Sequence, residues 1–510
     1  MSRTNERKLE SFWRRTARRA RYPALDGDAS VEVAVVGAGI TGLTAALLLA
    51  RAGRRVAILE ADRVGGGTSG ATSAHVTEVS DAPYTQLIEK FGEDGARAFA
   101  GAYRQGAHWI ATEARGLRCD YRETPAYHYA EAAADVAALE EDAAAARRLG
   151  VRAEPVRDVP LPFAVAGGVR YPGQAQFQPV RYLSGLARRF RQAGGEIFER
   201  TRVVVWEELE GSVSVATERG TVAARQLVLA THTPPNVNLV QSELGPYRSY
   251  LVLARLRNGV PHGLFWDSED PYHYIRAVPH GDGELLLVGG EDHKSGQEED
   301  TAERYAALER YTRDRFAVAA VEARWSAQLF EPADGAPYIG RSPFSEQVYL
   351  GTGYSGVGLV GGTVAGLLLS DLLLARSNPW AELFDSTRIK PIAAAGRIAA
   401  ENLDAAAWFV RDRVSGGAVS SADDVPRSAG RLVETDGEKL AVYRDPQGEL
   451  HALSPYCTHL GCIVHWNEAE ESWDCPCHGG RYTPDGAVLS GPPTAPLEER
   501  TIPEPAAIRS

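Results

Sequence analysis

Four of the five cysteines lie close together near the C-terminal end of the chain, with two histidines among them. They form the segments Cys457-Thr-His459-Leu-Gly-Cys462 and Cys475-Pro-Cys477-His478, which are 12 residues apart. Such clustering is typical of a metal or redox centre rather than of a secreted disulfide framework. Two thiolates and two imidazoles suit a tetrahedral zinc ion, and they also suit an iron–sulfur centre. The remaining Cys119 is expected to be an inert buried thiol.

A second pattern lies near the beginning of the chain, where Gly37-Ala-Gly39-Ile40-Thr41-Gly42 follows an apolar strand and opens a helix. Gly37 permits a tight turn, Gly39 lets the backbone approach a pyrophosphate, and Gly42 allows close packing of helix and strand. The helix N-terminus offers free N–H groups to the phosphates. Glu60 ends the next strand, where an acid can accept hydrogen bonds from ribose hydroxyls. The pattern predicts a dinucleotide site, and the alternative is a glycine-rich turn that is packed for structural reasons.

Two later segments favour FAD over NAD. Residues 65–73 are rich in glycine and hydroxyl groups, and 351–359 (Gly-Thr-Gly-Tyr-Ser-Gly-Val-Gly-Leu) form a second glycine-rich turn before a helix. With the preceding segment 334–340, this order of motifs resembles the glycine oxidase, D-amino acid oxidase and sarcosine oxidase family of FAD enzymes over roughly residues 31–385. No second GxGxxG follows a strand, which counts against an NAD(P)H site. The resemblance implies that FAD contacts Gly37, Gly39, Ile40, Thr41, Gly42, Glu60, Gly67, Thr68, Ser69, Thr72, Ser73, Val203, Gly353, Ser355, Gly356 and Gly358.

His75 lies close to the position at which some members of that family attach the flavin covalently to a histidine. The alignment slips by one residue there. We therefore treat His75 as a cofactor-site residue and leave covalent attachment open beside an ordinary packed or flavin-site histidine.

The cysteine and histidine cluster resembles a Rieske domain. The resemblance implies a [2Fe–2S] cluster in which two thiolates hold one iron and two imidazoles hold the other. It also implies a disulfide bond between the two additional cysteines, Cys462 and Cys477, which braces the two loops. These embedded cysteines and the glycine and proline turns count against zinc. The implied ligands are Cys457, His459, Cys475 and His478.

Three features near the ligands bear on the cluster potential. Gly480 stands where high-potential respiratory members have a serine, whereas Tyr482 matches the tyrosine that bonds a ligand sulfur. The segment 491–496 (Gly-Pro-Pro-Thr-Ala-Pro) matches the proline loop that covers the cluster. We expect an intermediate potential within the Rieske range of roughly −150 to +300 mV.

The elements that must position these residues are strands and helices of a doubly wound fold. Strands predicted over 31–37 and 56–60 flank a helix over 43–51, which makes a βαβ unit. Residues 131–149 and 389–413 are alanine-rich and helical in composition. Strand-like alternation covers 202–230, 247–256 and 284–290. The fold class is therefore α/β, a Rossmann-type FAD-binding domain interleaved with a β-rich substrate domain, plus a small all-β Rieske domain.

We predict four parts of the chain: a basic N-terminal extension, 1–30; the FAD-dependent oxidoreductase domain, 31–395; a helix and linker, 396–425; and the Rieske domain, 426–510. The extension is expected to pack on the first domain, since no apolar stretch follows its arginines as a twin-arginine export signal requires. The uncharged run between Glu346 and Asp371 contains seven glycines. It is expected to be a buried strand, turn and helix rather than a membrane span.

The net charge of −12 disfavours nucleic acid and anionic membranes as partners. We expect a soluble, cytoplasmic protein that could form oligomers. Only 32 residues follow His478 and none is a histidine. The mononuclear iron site of a Rieske oxygenase is therefore not expected.

The combination resembles a group of bacterial FAD-dependent oxidoreductases with a C-terminal Rieske domain, with matches at 290–296 and 324–328. It implies a dehydrogenase that oxidises the C–N bond of an amino acid or of a secondary or tertiary amine. Electrons would then leave through the cluster to an acceptor protein or quinone. The alternatives are an electron-transfer protein that serves a partner oxygenase or respiratory chain, and an amine oxidase with a structural Rieske domain.

Residues of the β-rich region and of the flavin turn are candidates for contact with substrate. Arg276 could clamp a carboxylate or pair with a neighbouring acid. His273 could line the pocket or face solvent, and the pair His293-Lys294 could approach the flavin or form a charged turn. The complete candidate set is Tyr274, His273, Arg276, His293, Lys294, Gln328 and Tyr354.

Overall fold

The computed structural model describes residues 10–298, 300–388, 408, 419, 421–435 and 437–502. The helix predicted over 389–413 lies outside the described residues except for Trp408, and so does most of the linker that follows it. The α-helices are Phe12–Thr16, Ile40–Arg51, Tyr84–Ala114, Ala133–Arg148, Pro179–Gln192, Thr301–Arg315, Gly358–Leu373 and Ala381–Phe384.

A six-stranded, mainly parallel sheet forms the dinucleotide-binding half. Its strands lie in the order Tyr338–Arg341, Val348–Thr352, Gln226–Leu229, Val33–Val36, Val56–Leu59 and Glu196–Phe198. The two short apolar strands around the first helix are buried at every position, as parallel strands covered on both faces must be. The predicted βαβ unit is confirmed at Val33–Val36, Ile40–Arg51 and Val56–Leu59.

A nine-stranded sheet forms the second half. Its strands are Val318–Pro332, Leu244–Leu256, Gly283–Lys294, His273–His280, Leu264–Asp267, Arg122–Ala130, Gly167–Gln176 and His75–Val76 in that order, with Glu154–Val156 at one side. A four-stranded sheet adds Ala29–Ser30, Gly220–Ala224, Ser212–Thr217 and Val203–Leu209. The chain passes repeatedly between these sheets, so the α/β and β-rich parts are interleaved as predicted.

The C-terminal part is all β. One four-stranded sheet contains Ala429–Thr435, Glu438–Arg444, Leu450–Leu453 and Glu499–Arg500, and another contains His465–Asn467, Ser472–Asp474, Arg481–Tyr482 and Val488–Ser490. The buried core between them includes Trp473, Tyr482 and the four clustered cysteines. Burial of these sulfurs keeps water away from the residues that are predicted to hold metal.

The uncharged run is the buried strand Val348–Thr352, a turn and the helix Gly358–Leu373, as predicted. Within the described residues, one stretch, Ser355–Leu373, has the length and apolar composition of a membrane span, but 72% of it is buried inside the protein.

The N-terminal extension packs on the glycine-rich segment that follows Glu60, as predicted. Trp13 is buried and its indole N–H donates to the Thr72 carbonyl oxygen at 2.7 Å. Ser11 Oγ donates to the Gly70 carbonyl at 2.5 Å, and Arg14 donates to the Gly67 carbonyl at 2.6 Å. The extension therefore holds part of the cofactor site in place.

Candidate functional site

The turn between the first strand and the first helix requires glycine for the reasons predicted. Gly37 has φ +103°, and a Cβ atom there would lie 2.5 Å from the Ala230 carbonyl oxygen. A Cβ atom at Gly42 would lie 2.0 Å from the Gly37 carbonyl oxygen, so this glycine serves helix–strand packing. The helix N-terminus therefore comes close to the end of the sheet.

Glu60 lies directly after the strand Val56–Leu59, beside this turn. Its carboxylate accepts hydrogen bonds from the backbone N–H groups of Ala38 at 2.7 Å and Asp62 at 2.9 Å. Burial raises the pKa of this carboxyl group. The two N–H donors hold the side chain at the edge of a large cavity. The lone pairs that these bonds leave free on the carboxylate oxygens can accept hydrogen bonds from ribose hydroxyls.

That cavity has a volume of about 1030 Å³. It is large enough for a dinucleotide by the usual scale of ligand pockets. Its wall contains His75 and all the predicted FAD-contacting residues except Gly42 and Gly353. They are Gly37, Gly39, Ile40, Thr41, Glu60, Gly67, Thr68, Ser69, Thr72, Ser73, Val203, Ser355, Gly356 and Gly358. One continuous cavity thus joins the two glycine-rich turns, and the residues present fit FAD.

The second glycine-rich turn closes against the first one. Tyr354 lies in the cavity wall, and the Thr41 hydroxyl donates to its phenol oxygen at 3.1 Å. Burial raises the pKa of Tyr354. Gly353, with φ +76°, packs against Leu244 and Pro332 rather than lining the cavity. Its part is to shape the turn.

His75 lies in the cavity wall opposite Tyr274, with ring centroids 5.9 Å apart. Burial lowers the pKa of His75 to about 3, so the imidazole is neutral. Its Nε2 atom is buried without a hydrogen-bond partner among the described residues. Covalent attachment to the flavin stays a prediction.

The four predicted metal ligands come together at the tips of two loops. The imidazole rings of His459 and His478 lie 4.9 Å apart. The thiols of Cys457 and Cys475 are buried and adjacent, and hydrogen bonds from Cys475 and Tyr482 lower the pKa of the Cys457 thiol. The hydroxyl of Tyr482 donates to Cys457 Sγ at 3.1 Å, which confirms the contact predicted for this tyrosine.

The donor set fits a [2Fe–2S] cluster. His478 Nδ1 is buried and has no hydrogen-bond partner among the described residues, as a metal-binding nitrogen would. Cys462 and Cys477 are joined by a disulfide bond, with Cα atoms 6.6 Å apart, which leaves Cys457 and Cys475 as the thiol ligands. A Cβ atom at Gly480 would lie 2.8 Å from Pro493 of the covering loop.

The tautomer of His459 follows from its partner in the flavin-binding half. Its Nε2 lies 3.1 Å from Gln241 Oε1. The Gln241 amide is oriented because its NH₂ group donates to the carbonyl oxygens of Pro234 and Asn236 at 2.8 and 2.7 Å. Its oxygen is therefore an acceptor, His459 Nε2 carries the proton, and Nδ1 is left for metal.

A second contact joins the cluster loops to the cavity. Gln328 lines the cavity, and its NH₂ group donates to the carbonyl oxygen of Gly479, next to His478, at 2.8 Å. Its amide oxygen accepts from the hydroxyl of Ser490 at 3.3 Å. Leu489, Ser490, Gly491, Pro493 and Thr494 also line the cavity. The proline loop is therefore shared by both sites.

Three of the seven substrate-side candidates, Tyr274, Gln328 and Tyr354, line the cavity. The other four do not, and Arg276 is the clearest correction. Its guanidinium is buried, donates to the Ala74 carbonyl at 2.6 Å and lies over the Trp13 ring at 5.1 Å. It borders a separate space of about 200 Å³, which Trp13 also lines. Neither the carboxylate clamp nor an acid partner is formed.

The histidines of the β-rich sheet belong to hydrogen-bond networks outside the cavity. His273 is buried rather than solvent-facing, bonds Asp267 at 3.0 Å through Nδ1 and stacks on Tyr311 at 3.7 Å. Burial opposes its protonation, but hydrogen bonds to Asp267 and Glu291 raise the pKa of His273 to about 9. Its expected role in the pocket wall is therefore corrected to a buried cation.

His293 bonds the Tyr250 hydroxyl at 2.9 Å and the Lys294 carbonyl at 2.8 Å. Neither His293 nor Lys294 lines the cavity, because the pair continues the strand Gly283–Lys294 opposite Arg248 and Tyr247. His293 and Lys294 therefore do not approach the flavin, and they end a strand instead of forming a charged turn.

Sequence reasoning missed several residues of the cavity wall. Asp81 accepts a hydrogen bond from the Gly356 backbone at 3.2 Å, so an acid lies beside the second glycine-rich turn. Tyr272 and Ser249 also line the cavity. Asp81 follows no recognisable motif, Tyr272 directly precedes the strand His273–His280, and Ser249 comes from a strand whose facing side only the sheet register reveals.

Comparison with known proteins accords with this geometry. Residues 32–372 match the family of FAD dependent oxidoreductases, which is more than half of the chain. The chain belongs to the FAD dependent oxidoreductase family. Residues 417–501 match the Rieske [2Fe-2S] domain, so this oxidoreductase carries a C-terminal Rieske domain and binds FAD and a [2Fe–2S] cluster.

The oxidoreductase has relatives over its whole length and over its flavin-binding part. It is 30% identical to the Rieske 2Fe-2S iron-sulfur protein YhfW of Bacillus subtilis (strain 168), over 96% of this chain and 97% of that protein. It is 25% identical to gamma-glutamylputrescine oxidoreductase of Escherichia coli (strain K12), over 69% of this chain and 86% of that protein. The crystal structure of glycine oxidase from Geobacillus kaustophilus superposes with a TM-score of 0.61 at 20% identity, over 71% of this chain and all of that one, and shows the shared fold.

Proposed function

We propose that this FAD-dependent oxidoreductase dehydrogenates the C–N bond of an amine or amino acid and delivers the electrons through its Rieske cluster to a separate one-electron acceptor. The observation that carries the proposal is the shared wall. The loop that covers the cluster site, including Pro493, also lines the flavin cavity, and Gln328 bonds the cluster loop from that cavity. A redox centre placed there is suited to receive electrons from the same site.

When bound, FAD accepts two electrons as hydride, and a Rieske cluster carries one electron at a time. Oxidation of an amine removes a hydride from carbon and a proton from nitrogen, and water hydrolyses the resulting C=N bond. The side chains of this protein orient the reactants: Thr41 and Tyr354 fix the second glycine-rich turn, and Gln241 and Gln328 fix the cluster loops.

Two relatives support an amine or amino-acid substrate by their names. One acts on gamma-glutamylputrescine, and the other is a glycine oxidase. The Rieske domain itself favours a dehydrogenase over an oxidase, because a one-electron centre would be unnecessary if oxygen took both electrons directly. We further propose that the Cys462–Cys477 disulfide persists in the cell and braces the two ligand loops, since both sulfurs are buried.

The test is an anaerobic titration of the oxidised holoenzyme with a panel of amines and amino acids. Flavin absorbance and the EPR signal of the reduced cluster are recorded together. We expect one class of compound to bleach the flavin and then to reduce the cluster without NAD(P)H. Reduction of the flavin with no electron reaching the cluster would contradict the proposed route.

A variant separates the alternatives. His459→Ala removes a cluster ligand, and His451→Ala changes a histidine of the same domain that bonds no ligand and lies near Asp445. We expect His459→Ala to abolish reduction of a one-electron acceptor and His451→Ala to preserve it. Unchanged turnover with stoichiometric peroxide in His459→Ala would indicate an oxidase. Indifference to every amine, with reduction by a protein donor, would indicate an electron-transfer protein.

A further inference from the structure

The flavin cavity has a strongly one-sided charge. Four carboxylates in its wall come from the segment before the long helix and from the helix Ala133–Arg148: Asp81, Asp135, Glu141 and Asp142. We call these four residues the acidic wall. Among the described residues that line the cavity, Arg202 is the sole lysine or arginine, and it adjoins Val203. A cleft of one sign concentrates ligands of the opposite charge.

The other acidic residues of the cavity wall either have a partner or lie elsewhere in the wall. Asp267 also lines it, but its carboxylate already pairs with His273, 3.0 Å away. Glu60 and Asp62 adjoin the dinucleotide-binding turn, and Glu331 lies on the strand Val318–Pro332. Three of the four residues of the acidic wall lie on the helix Ala133–Arg148, which contains none of the residues predicted to contact FAD, so this part of the wall is available to a substrate.

Aromatic rings line the same space. Tyr171 and Trp266 stack with centroids 5.9 Å apart, and Tyr272 and Tyr274 lie at 5.8 Å from each other. Burial raises the pKa of Tyr171, Tyr272 and Tyr274, so their rings remain neutral phenols. Neutral aromatic faces attract cations, especially where water is excluded.

A further carboxylate contacts two residues of the cavity wall. Asp292 interacts with Ser249 and Tyr272, which both line the cavity, and its Oδ1 atom is buried without a hydrogen-bond partner among the described residues. Burial raises the pKa of Asp292 to about 7. An unpartnered buried carboxyl oxygen is costly, and a nearby cation would compensate it.

The cavity also lacks what an amino acid would require. A substrate carboxylate is normally held by an arginine in a bidentate pair, and the candidate for that task, Arg276, donates to main-chain carbonyl groups outside the cavity. A carboxylate placed beside the acidic wall would meet like charges at close range.

We propose that the substrate is a diamine or polyamine, that is, an amine with at least one further cationic nitrogen and no carboxylate. The acidic wall and the four aromatic rings hold it while one of its C–N bonds faces the flavin turn. This inference rests on the proposed function, because it names the substrate class of the same site. Of the two substrate classes in the proposed function, amines and amino acids, it selects amines.

The test uses the oxidised holoenzyme under anaerobic conditions with three matched probes: 1,4-diaminobutane, butylamine and sarcosine. Perturbation of the flavin absorbance gives each Kd, and bleaching gives each rate of reduction. We expect the diamine to bind about fivefold more tightly than butylamine, since a second ion pair with partly exposed carboxylates contributes up to about that much. Sarcosine should neither bind nor reduce the flavin.

A pair of variants locates the effect. The double variant Asp135→Asn with Glu141→Gln removes two charges from the acidic wall, and Glu140→Gln removes one from the same helix outside the cavity. In the double variant we expect the Kd and KM for the diamine to rise about fivefold with kcat within twofold, and the salt dependence of binding to weaken. The Glu140→Gln variant should match the parent protein.

The outcomes separate the two proposals. If sarcosine or another amino acid reduces the flavin and binds more tightly to the double variant, the proposed function stands and the substrate class is overturned. Equal Kd values for the diamine in the parent, the double variant and Glu140→Gln would also overturn it. If no amine or amino acid binds or reduces the flavin, both proposals fail.

Discussion

The phenol of Tyr482 links a single hydroxyl group to the electronic properties of the cluster site. It donates to Cys457 Sγ at 3.1 Å and accepts from the Thr458 backbone N–H at 3.0 Å. A hydrogen bond to a sulfur ligand strengthens when reduction adds negative charge, so it favours the reduced state.

The substitution Tyr482→Phe should therefore lower the midpoint potential of the cluster. A difference of about 1 kcal/mol between the two oxidation states corresponds to roughly 40 mV for one electron. An EPR-monitored redox titration measures this shift. Tyr443→Phe is the control, because Tyr443 stacks on Trp466 in the same domain and bonds no ligand. A potential unchanged in Tyr482→Phe would show that the bond is equally strong in both states.

A single residue, Gln241, also sets the tautomer of His459. Gln241 accepts from the Nε2–H of this histidine, and the carbonyl oxygens of Pro234 and Asn236 hold the amide in place. A ligand histidine whose outer nitrogen is bonded in this way has a defined ring orientation. The flavin-binding half thereby orients a ligand of the Rieske domain.

At the scale of elements, two helices support the second glycine-rich turn. The helix Gly358–Leu373 begins at that turn and packs on the long helix Tyr84–Ala114. The close approach depends on Gly106, where a Cβ atom would lie 2.9 Å from Val364 Cγ2 and 3.1 Å from the Val360 carbonyl oxygen. Gly101 of the same helix faces open space, with no atom within 4 Å of its Cβ position.

Opposite effects are expected for two identical substitutions in this helix. Gly106→Ala should lower the free energy of unfolding by about 1–3 kcal/mol, since overpacking forces the valines to shift. Gly101→Ala should raise it by roughly 0.5–1 kcal/mol because alanine favours the helix. Denaturant unfolding of the holoenzyme measures both. A stabilising Gly106→Ala would mean that the helices separate without cost.

At the scale of the whole molecule, a buried ion pair joins the two parts of the chain. Arg248 of the nine-stranded sheet bonds Glu470 of the Rieske domain at 2.7 Å, and their side chains are 3% and 10% exposed. Tyr305 also donates to Glu470 at 2.9 Å, and Arg481 lies 3.6 Å from it. Removing one member would leave a buried charge with fewer partners.

We expect Arg248→Met to weaken docking of the Rieske domain by roughly 3 kcal/mol, the lower range for breaking a buried ion pair, because Arg481 remains. Arg255→Met, in the same strand, removes an exposed pair with Glu322 and should cost less than about 1 kcal/mol. Differential scanning calorimetry should resolve a separate, earlier transition of the Rieske domain in Arg248→Met only. A single transition at the parental temperature would contradict this account.

The same pair predicts a pH dependence. Burial opposes ionisation of Glu470, yet Arg248 and Arg481 lower the pKa of its carboxyl group below the ordinary value. Such a carboxylate stabilises the folded protein fully above its ordinary pKa of about 4.3, and the contribution is lost as the pH falls through the folded-state pKa. Docking should therefore weaken below about pH 4 in the parent protein, and the profile should be flatter in Arg248→Met.

Local sequence determined much of this protein. The glycines at 37, 39 and 42 are required by turn geometry and close backbone approach, and short buried strands follow from uninterrupted apolar residues. The ligand pattern of Cys457, His459, Cys475 and His478 predicted the metal site because its chemistry depends on residue type and short spacing. These features need few long-range contacts, so a linear pattern suffices to predict them.

Only the tertiary structure decided which side chains share the flavin cavity. Arg276 shares a strand face with Tyr274, but its guanidinium is buried against Ala74 and Trp13, and sheet pairing places His273 and His293 in buried networks. Asp81 and the acidic residues of the helix Ala133–Arg148 reach the cavity from distant segments. The contact of Gln328 with Gly479 joins residues that are 151 positions apart. Such contacts depend on sheet register and domain docking, which follow from the packing of the whole chain.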